Sequence, residues 1–270
     1  MNILFVGSGD ITANYLADRL YREGHQISWV TKDEKSFLLN KDFKGKIYRE
    51  GYQVNTLKSI LRLQGIDTVV FAYESYVGDP WEEKTESLIP ALQNILKALE
   101  NHRLKHFVYL STIELEYRQV LTPKLAELEY GENLCRSFQK RKELPLLILR
   151  TGMCYGRYYL DKMGYIGKVI LDGLEGKTVI CRCARDSYVD PIFGEDAAVA
   201  AADLMTLGKC GTYRILSGHP MTMEELHSIL SVIIQKEIRV KFLNEEDTQK
   251  TLEYVRFFRT QGKKGDGAKV

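Results

Sequence analysis

The stretch "NILFVGSGDITANYLADRLYREG", residues 2–24, joins an apolar run to an amphipathic segment through two closely spaced glycines. The apolar run predicts a buried strand, and residues 10–24 predict a helix. Gly7 permits a tight turn, and Gly9 lets the backbone approach a pyrophosphate at the positive end of the helix. The stretch therefore predicts a dinucleotide-binding turn made of Gly7, Ser8, Gly9, Asp10, Ile11 and Thr12.

The turn departs from the full G-x-G-x-x-G pattern, because Thr12 stands at the third glycine position. That glycine normally allows the helix to pack closely on the strand. Thr12 therefore predicts a slightly displaced helix, with Ala13 as a candidate for the contact. An ordinary strand–helix turn without a ligand remains the alternative interpretation of this stretch.

Further apolar runs and helical patterns alternate through the first half of the chain. One helical segment covers residues 79–101, with Asp79 as a plausible N-cap and with Pro90 predicted to kink or restart the helix. Strands that are apolar throughout and separated by helices indicate a parallel sheet covered on both faces. We therefore predict an α/β fold with a doubly wound parallel sheet, whose later strands lie at 26–31, 46–50, 67–73, 106–111 and 145–150.

The pattern changes after Gly152, where a stretch rich in tyrosine and glycine precedes shorter elements. We predict a Rossmann-type domain over 1–152, a smaller C-terminal lobe over 153–261 that is interleaved with it, and a disordered tail over 262–270. The lobe is expected to lie over the carboxyl edge of the sheet, where such folds bind their ligands. Its predicted elements are strands near 177–183, 212–216 and 238–242 and helices near 195–207, 222–235 and 245–260.

Composition excludes several classes of protein. The formal charge of +2 comes from 38 basic and 36 acidic residues, and their even spread argues against nucleic-acid binding. No apolar run is long enough to span a bilayer, and the N-terminus lacks a basic leader, so we expect a cytoplasmic protein without a membrane segment. Five cysteines without a CxxC pair fit a reducing compartment. Cys181 and Cys183 are expected on one face of a strand and not in a metal site.

The end of the second strand bears on the choice of cofactor. Lys32 is the first residue past the strand, and Asp33 follows it. A basic residue here can take a 2′-phosphate, whereas an acid binds the ribose hydroxyls of NAD(H). Lys32 thus favours NADP(H) over NAD(H). Ala72 and Tyr73, at the end of the strand within 67–73, are also predicted to contact the cofactor.

Four later segments carry a family resemblance. In chain order they are "KHFVYLST" (105–112), "LPLLILRTGMCYG" (144–156), "GEDAAVAAADLM" (194–205) and "GTYRILSGHPMTMEEL" (211–226). With them, the chain resembles the extended and atypical short-chain dehydrogenase/reductases, the NAD-dependent epimerase/dehydratase superfamily, over roughly residues 2–235. The resemblance implies a bound nicotinamide dinucleotide, a catalytic-site hydroxyl at Ser111 or Thr112, and Arg150 and Thr151 near the nicotinamide end or the substrate.

The catalytic helix of that family departs most clearly in this chain. The family carries the pattern YgxsKxxgE, and Gly131 and Glu132 match its end. Lys124 and Leu128 then occupy the positions of the tyrosine that transfers the proton and the lysine that binds the ribose. Their spacing of four residues predicts that both face the cofactor cleft. Loss of the pair implies that cofactor binding survives where the usual catalysis fails.

Other residues offer weaker alternatives. Tyr117 and Tyr130 are candidate acids acting alone, with a packed tyrosine as the plainer interpretation of each. Arg150 is either a residue that contacts the nicotinamide end or a structural residue that pairs with a carboxylate such as Asp196.

Three functional interpretations follow from the sequence. The first is a degenerate, cofactor-binding sensor, scaffold or accessory subunit. The second is an unconventional reductase or epimerase acting on a nucleotide sugar or a similar polar small molecule. The third is an interaction module whose cofactor site is vestigial. A homodimer or a partner protein is compatible with each of them.

Overall fold

The computed structural model describes residues 1–7, 11–31, 45–49, 51–72, 89–117, 123–156, 164–181 and 184–242. In these ranges seven parallel strands form a central sheet, with the spatial order β11-β6-β5-β4-β1-β2-β3. From β1, the strand order runs to β2 and β3 on one side and to β4, β5, β6 and β11 on the other, which confirms the predicted doubly wound arrangement. The strands are β1 Asn2–Gly7, β2 Gln26–Val30, β3 Lys46–Tyr48, β4 Thr68–Ala72, β5 His106–Thr112, β6 Leu146–Thr151 and β11 Gly211–Ile215.

Helices cover both faces of the sheet. One face packs against α1 and α7, and the opposite face packs against α2, α3 and α5. Successive strand residues point to opposite faces, so Leu4 belongs to one core and Phe5 to the other. Burial on both sides explains why these strands are apolar throughout. The helices are α1 Ile11–Arg22, α2 Val54–Leu63, α3 Ile89–Ala98, α4 Glu114–Tyr117, α5 Pro123–Lys142 and α7 Gly194–Thr206.

A smaller lobe with its own apolar core follows the sheet. The core lies between α6 and α8, and short strands pair around it as β13 with β8, β12 with β9 and β10 with β7. Its elements are α6 Tyr165–Leu174, α8 Met223–Ile234, β7 Met153–Tyr155, β8 Val179–Cys181, β9 Tyr188–Val189, β10 Pro191–Phe193, β12 Met221–Thr222 and β13 Val240–Phe242.

Some sequence expectations are refined by the structure. Helix α6, which the sequence did not predict, begins at the end of the glycine- and tyrosine-rich stretch. The chain after residue 152 contributes to both parts of the molecule, because β11 pairs with β6 in the central sheet. The predicted helix start at Asp79, Cys183 and the helix near 245–260 lie outside the described residues. Across the described ranges, no helix is long and apolar enough to cross a membrane.

Candidate functional site

Gly7 lies at the carboxyl edge of the sheet, at the point where the strand order reverses. It pairs with Ala72 across β1 and β4 and has a φ of 119°. A Cβ atom on Gly7 would overlap the carbonyl oxygen of Ala72. Both the positive φ and the close approach therefore require glycine at the end of β1.

Trp29 holds the end of β1 in place. Its indole Nε1 donates to the carbonyl oxygen of Gly7 at 3.0 Å, and its ring stacks on Phe5 with 4.7 Å between ring centroids. The side chain is almost wholly buried. Sequence reasoning did not single out Trp29, although a tryptophan near the end of the second strand was the available signal. The position of Gly7 thus depends on a side chain of the neighbouring strand.

The structure gives a specific role to Thr12. The residue is buried, and its Oγ1 donates to Sγ of Cys154 at 3.0 Å. Cys154 belongs to β7, the short strand that follows the central sheet. The start of α1 therefore accommodates a side chain at the third glycine position and uses it to contact the connection to the small lobe.

A second contact joins α1 to this connection. The Tyr15 ring is buried and lies edge-on to Phe193, with 5.7 Å between ring centroids. Cβ atoms at Gly156 or Gly194 would overlap the same ring. The helix that opens the glycine turn and the two connections to the small lobe consequently form one packed unit.

Only some of the remaining residues predicted to bind the cofactor lie in the described part of the chain. Ile11 is buried at the start of α1. Thr31, also buried, precedes the position of Lys32, and its N–H donates to the carbonyl oxygen of Tyr48 at 3.0 Å. Five of the predicted residues lie outside the described part of the chain, namely Ser8, Gly9, Asp10, Lys32 and Tyr73.

The ends of β5 and β6 carry a buried ionic cluster centred on Glu132 of α5. Ser111 donates its hydroxyl to Oε1 of Glu132 at 2.7 Å. Arg150 donates Nε to the same oxygen at 2.9 Å and Nη2 to Oε2 at 2.6 Å. The Glu132 side chain is only 3% exposed, so its charge depends on these donors. The cluster fixes α5 to two adjacent strands.

The cluster extends to α4 and β11. Arg150 Nη1 donates to Glu116 at 2.9 Å, and Arg214 pairs with the other carboxylate oxygen of Glu116 at 2.6 Å. Burial alone would raise the pKa of Glu116, but the hydrogen bonds from Arg214 and Arg150 lower it below the ordinary value. The hydrogen bonds that Arg150 donates to Glu132 raise the pKa of Arg150. Both groups therefore keep their charges.

These contacts bear on the two interpretations of Arg150. Its carboxylate partners are Glu132 and Glu116. The sequence suggested Asp196 instead, but this residue is exposed near the start of α7. Sequence spacing could not select between these acids, because all three are distant from Arg150 along the chain. The guanidinium is directed towards α4 and α5, which supports the structural interpretation.

The two threonines at this edge bond to nearby backbone. Thr112 is half-buried, and its Oγ1 accepts a hydrogen bond from the N–H of Glu114 at 3.3 Å. Thr151 is buried, and its Oγ1 donates to the carbonyl oxygen of Ser111 at 3.3 Å. The candidate hydroxyls thus lie together at the ends of β5 and β6, and Ser111 is the one bonded to a carboxylate.

Leu128 does not face the cofactor cleft as the helical spacing predicted. It is buried at 7% exposure and belongs to the apolar core between α5 and the sheet. Tyr109 of β5 reaches the same turn of helix and donates its hydroxyl to the carbonyl oxygen of Leu128 at 3.3 Å. The expectation was wrong because an apolar side chain at this position gains by packing inward.

The sequence named three further candidate residues, Lys124, Tyr117 and Tyr130. The side chains of Lys124 and Tyr117 lie outside the described part of the structure, and Tyr130 is half-buried on α5. Among the described residues, no group of three histidine, cysteine or acidic side chains could hold a metal ion. The described part of the site therefore consists of Gly7 at the ends of β1 and β4 and an ionic cluster at the ends of β5 and β6.

Comparison with known proteins finds a partial sequence similarity and a shared fold. No family model matches the chain. Over 98 residues it is 30% identical to dTDP-glucose 4,6-dehydratase 1 of Escherichia coli strain K12 and to dTDP-glucose 4,6-dehydratase of Shigella flexneri. That match covers 36% of this chain and 27% of each relative, so it spans about a quarter of their length.

Solved structures share the fold over nearly the whole chain. UDP-glucose 4-epimerase of Thermus thermophilus, solved with NAD, matches with a TM-score of 0.75 and 18% identity over 89% of this chain and 86% of that one. UDP-glucose 4-epimerase of Thermotoga maritima, solved with UDP-glucose, matches with a TM-score of 0.72 and 20% identity over 92% and 88%.

UDP-glucuronic acid 4-epimerase of Bacillus cereus, solved with UDP-glucuronic acid and NAD, matches with a TM-score of 0.70 and 18% identity over 94% and 93% of the two chains. The resemblance to epimerase/dehydratase proteins that the sequence motifs indicated is confirmed at the level of the fold.

Proposed function

We propose that this chain binds a nicotinamide dinucleotide at the carboxyl edge of β1 and β4 without performing the proton-coupled hydride transfer of its structural neighbours. It would then act as a sensor, scaffold or accessory subunit that responds to the cofactor. The proposal has two parts, one on binding and one on chemistry, and each has its own support.

Gly7 carries the binding part. Its positive φ and its approach to Ala72 require glycine at the end of β1, where the strand order reverses. Ligands of doubly wound sheets bind in the crevice at this point, with the pyrophosphate near the N-terminus of the first helix. Two of the structural neighbours described above were solved with NAD. A dinucleotide therefore fits this edge in both position and chemistry.

Leu128 carries the chemical part. The position that resembles the family lysine holds an aliphatic side chain inside the core. It provides neither a charge to lower the pKa of a tyrosine nor a donor to a ribose hydroxyl. Positioned proton transfer contributes on the order of 10²–10⁴-fold to a rate, so loss of the proton-transfer group removes most of the usual activity. Binding loses less, because one charged hydrogen bond is worth about 1.5–3 kcal/mol.

The preference between cofactors rests on Lys32. A lysine directly after the second strand can neutralise a 2′-phosphate, which supports NADP(H) over NAD(H). Replacement of this lysine by aspartate should reverse the preference, because an acid would instead accept hydrogen bonds from the free ribose hydroxyls. Calorimetric titration of this variant with both cofactors measures the reversal.

Isothermal titration calorimetry with NAD⁺, NADH, NADP⁺ and NADPH tests the binding part. We expect binding by at least one form and its loss in Gly9→Glu, since a carboxylate at the glycine turn would repel a pyrophosphate. Thr178→Glu, an exposed position in the small lobe, adds the same charge and should leave binding unchanged. Absence of binding by all four forms at millimolar concentration would reject the dinucleotide site.

A separate assay tests the chemical part. The protein is incubated with NAD⁺ or NADP⁺ and with UDP-glucose, UDP-glucuronic acid or dTDP-glucose, and the sugars are followed by NMR. We expect no epimer, no dehydrated product and no reduced cofactor. Turnover of any of these sugars would show that a different residue supplies the proton transfer, and the binding part would stand.

A further inference from the structure

Strand β7 takes part in two apolar cores. Met153 packs against the core of the small lobe, and its neighbour Cys154 packs against the core between the sheet and helices α1 and α7. Successive strand residues point to opposite faces, so the two cores share this strand. β7 pairs in parallel with β10, and Ile192 of β10 belongs to the same core as Cys154. We call this ribbon of two strands, residues 153–155 and 191–193, the lobe root.

Within the described ranges the chain passes between the central sheet and the small lobe three times, after β6, β9 and β11, and all three passages meet at the lobe root. Asp190 joins them. Its carbonyl oxygen accepts from the N–H of Met153 at 2.8 Å, and its carboxylate accepts from the N–H of Ser217 at 2.6 Å. Asp190 is only 2% exposed, so both bonds are shielded from water. A movement of the lobe relative to the sheet must therefore involve the root.

The start of α1 lies against the lobe root. The Thr12 hydroxyl donates to Sγ of Cys154 on β7 at 3.0 Å. The Tyr15 ring lies edge-on to Phe193 on β10, with 5.7 Å between the ring centroids. Thr12 and Tyr15 are three residues apart, so they share one face of the helix, and both are buried. One face of α1 thus contacts both strands of the root.

Ile11, the first residue of α1, reaches the small lobe directly. Gly164 is the N-cap of α6, and a Cβ atom on Gly164 would lie 3.3 Å from Cδ1 of Ile11. Helix α6 in turn contributes Ile166 and Val169 to the core of the small lobe. The residue that opens the helix of the proposed cofactor site therefore borders a helix of the lobe core.

The packing of Tyr15 makes a separation of the lobe root from α1 unfavourable. Its ring contacts the two connections at Gly156 and Gly194, where a Cβ atom would overlap it. An aromatic side chain buries a large apolar area, and separation would expose that area to water. A movement of the lobe is therefore expected to carry the start of α1 with it.

We propose that the start of α1 couples the cofactor site to the small lobe, so that a dinucleotide bound at the glycine turn holds the lobe in place. This inference rests on the proposed function, in which the pyrophosphate lies at the N-terminus of α1. Opening of the lobe moves Ile11, Thr12 and Tyr15 away from the positions that the ligand needs. Cofactor binding and lobe opening therefore oppose each other by the same factor. The small lobe is then the part of the molecule that responds to the cofactor.

Hydrogen exchange with and without the cofactor form that binds most tightly tests the coupling. Amides of α6 and α8 that exchange faster than the slowest amides of β1 and β4 report opening of the lobe and not global unfolding. At a cofactor concentration of about a hundred times the dissociation constant, an opening that abolishes binding becomes about a hundredfold rarer. Exchange of these amides should slow by about the same factor. Unchanged exchange in α6 and α8 would overturn the proposal.

Substitutions of Tyr15 identify the coupling contact. In Tyr15→Leu, with cofactor at the same multiple of its own dissociation constant, the slowing in α6 and α8 should fall below about tenfold. Tyr15→Phe keeps the ring and should respond as the wild type does. Tyr21→Leu removes a ring further along the same helix, at a residue outside the lobe root, and should also respond fully. Thr12→Val, which removes only the bond to Cys154, is a milder change and should reduce the slowing even if Tyr15→Leu fails to fold. A response of wild-type size in both Tyr15→Leu and Thr12→Val would reject the coupling through α1.

Calorimetry on the same samples separates this inference from the proposed function. Absence of binding by all four cofactor forms would reject both. Binding accompanied by slower exchange in the central sheet alone would leave the dinucleotide site in place and reject only the coupling to the lobe.

Discussion

The two halves of α5 differ in how well they match the pattern YgxsKxxgE. The second half retains Gly131 and Glu132, and each makes a contact that the fold uses. A Cβ on Gly131 would overlap the Tyr109 hydroxyl, and Glu132 binds both Ser111 and Arg150. In the first half, Lys124 and Leu128 stand where the resemblance places the tyrosine and the lysine, and Leu128 belongs to the core.

The difference shows which constraints on a motif come from the fold. Loss of Glu132 would leave the buried part of Arg150 with one carboxylate fewer, a change that destabilises strongly. Replacement of a cofactor-facing lysine by leucine has no such cost, because burial of a leucine side chain contributes about 1.5–3 kcal/mol. Under the proposed function, the packing residues of the motif outlast its catalytic residues.

The largest effect is expected from Glu132→Ala, which breaks the retained half of α5. The substitution removes the bidentate partner of Arg150 and the acceptor of the Ser111 hydroxyl. We expect a loss of about 3–5 kcal/mol in the free energy of unfolding, measured by urea denaturation. Asn133→Ala, at the next and exposed position of the same helix, should change it by less than about 0.5 kcal/mol.

The second prediction restores the lost half through Lys124→Tyr combined with Leu128→Lys. Leu128 lies in the core, so the ammonium of a lysine at this position would be buried without a partner. We expect the free energy of unfolding to fall by about 3 kcal/mol. Leu128→Met keeps the volume and should cost less than about 1.5 kcal/mol. A double variant as stable as the wild type, with a melting temperature raised by NADP(H), would show that position 128 reaches the cofactor.

The third prediction concerns the close contact between Gly131 and Tyr109. Gly131→Ala should destabilise the fold by about 1–2 kcal/mol, although alanine favours a helix interior by up to about 1 kcal/mol. In a double-mutant cycle, Tyr109→Phe should recover part of this loss by removing the overlapping hydroxyl. Equal effects of Gly131→Ala in both backgrounds would show that the hydroxyl does not impose the glycine.

The smallest effects are expected from pH, and they separate the small lobe from the α5 cluster. Burial lowers the pKa of His227 below its ordinary value of 6.5, so the folded state favours the neutral ring. The Met223 backbone acts in the opposite direction and raises the pKa of His227, although the buried Nδ1 atom of the ring has no hydrogen-bond partner. Stability from this group is complete above pH 6.5 and declines as the pH falls towards the folded pKa, by at most about 1.4 kcal/mol per pH unit.

Glu116 should respond at lower pH. Its pKa is lowered from 4.5, so its contribution is complete above pH 4.5 and is lost as the pH falls through the folded pKa. Urea unfolding at a series of pH values gives the free energy of unfolding as a function of pH. Compared with the wild type, this free energy should depend less on pH below pH 6.5 in His227→Gln and below pH 4.5 in Glu116→Gln. Burial also lowers the pKa values of His25 and His106, and these two residues account for the pH dependence of the free energy of unfolding that remains in His227→Gln.

The sequence alone determined most of the sheet. Strands that are apolar throughout and alternate with helices predicted the doubly wound order. Among the late elements, the strands near 177–183, 212–216 and 238–242 and the helices near 195–207 and 222–235 were placed within a few residues. The glycine turn was visible because Gly7 must adopt a conformation that other residues avoid. These features are local, since each depends on the period of the apolar residues or on the backbone of one residue.

Only the tertiary structure decided which side chains meet. The partners of Arg150, the contact between Trp29 and Gly7, and the inward packing of Leu128 all join residues from different elements. Helical spacing placed positions 124 and 128 on one face, but it could not show whether leucine at 128 would turn towards the cleft or the core. That outcome depends on the apolar surface of the neighbouring strand, because burial against it lowers the free energy of the folded chain.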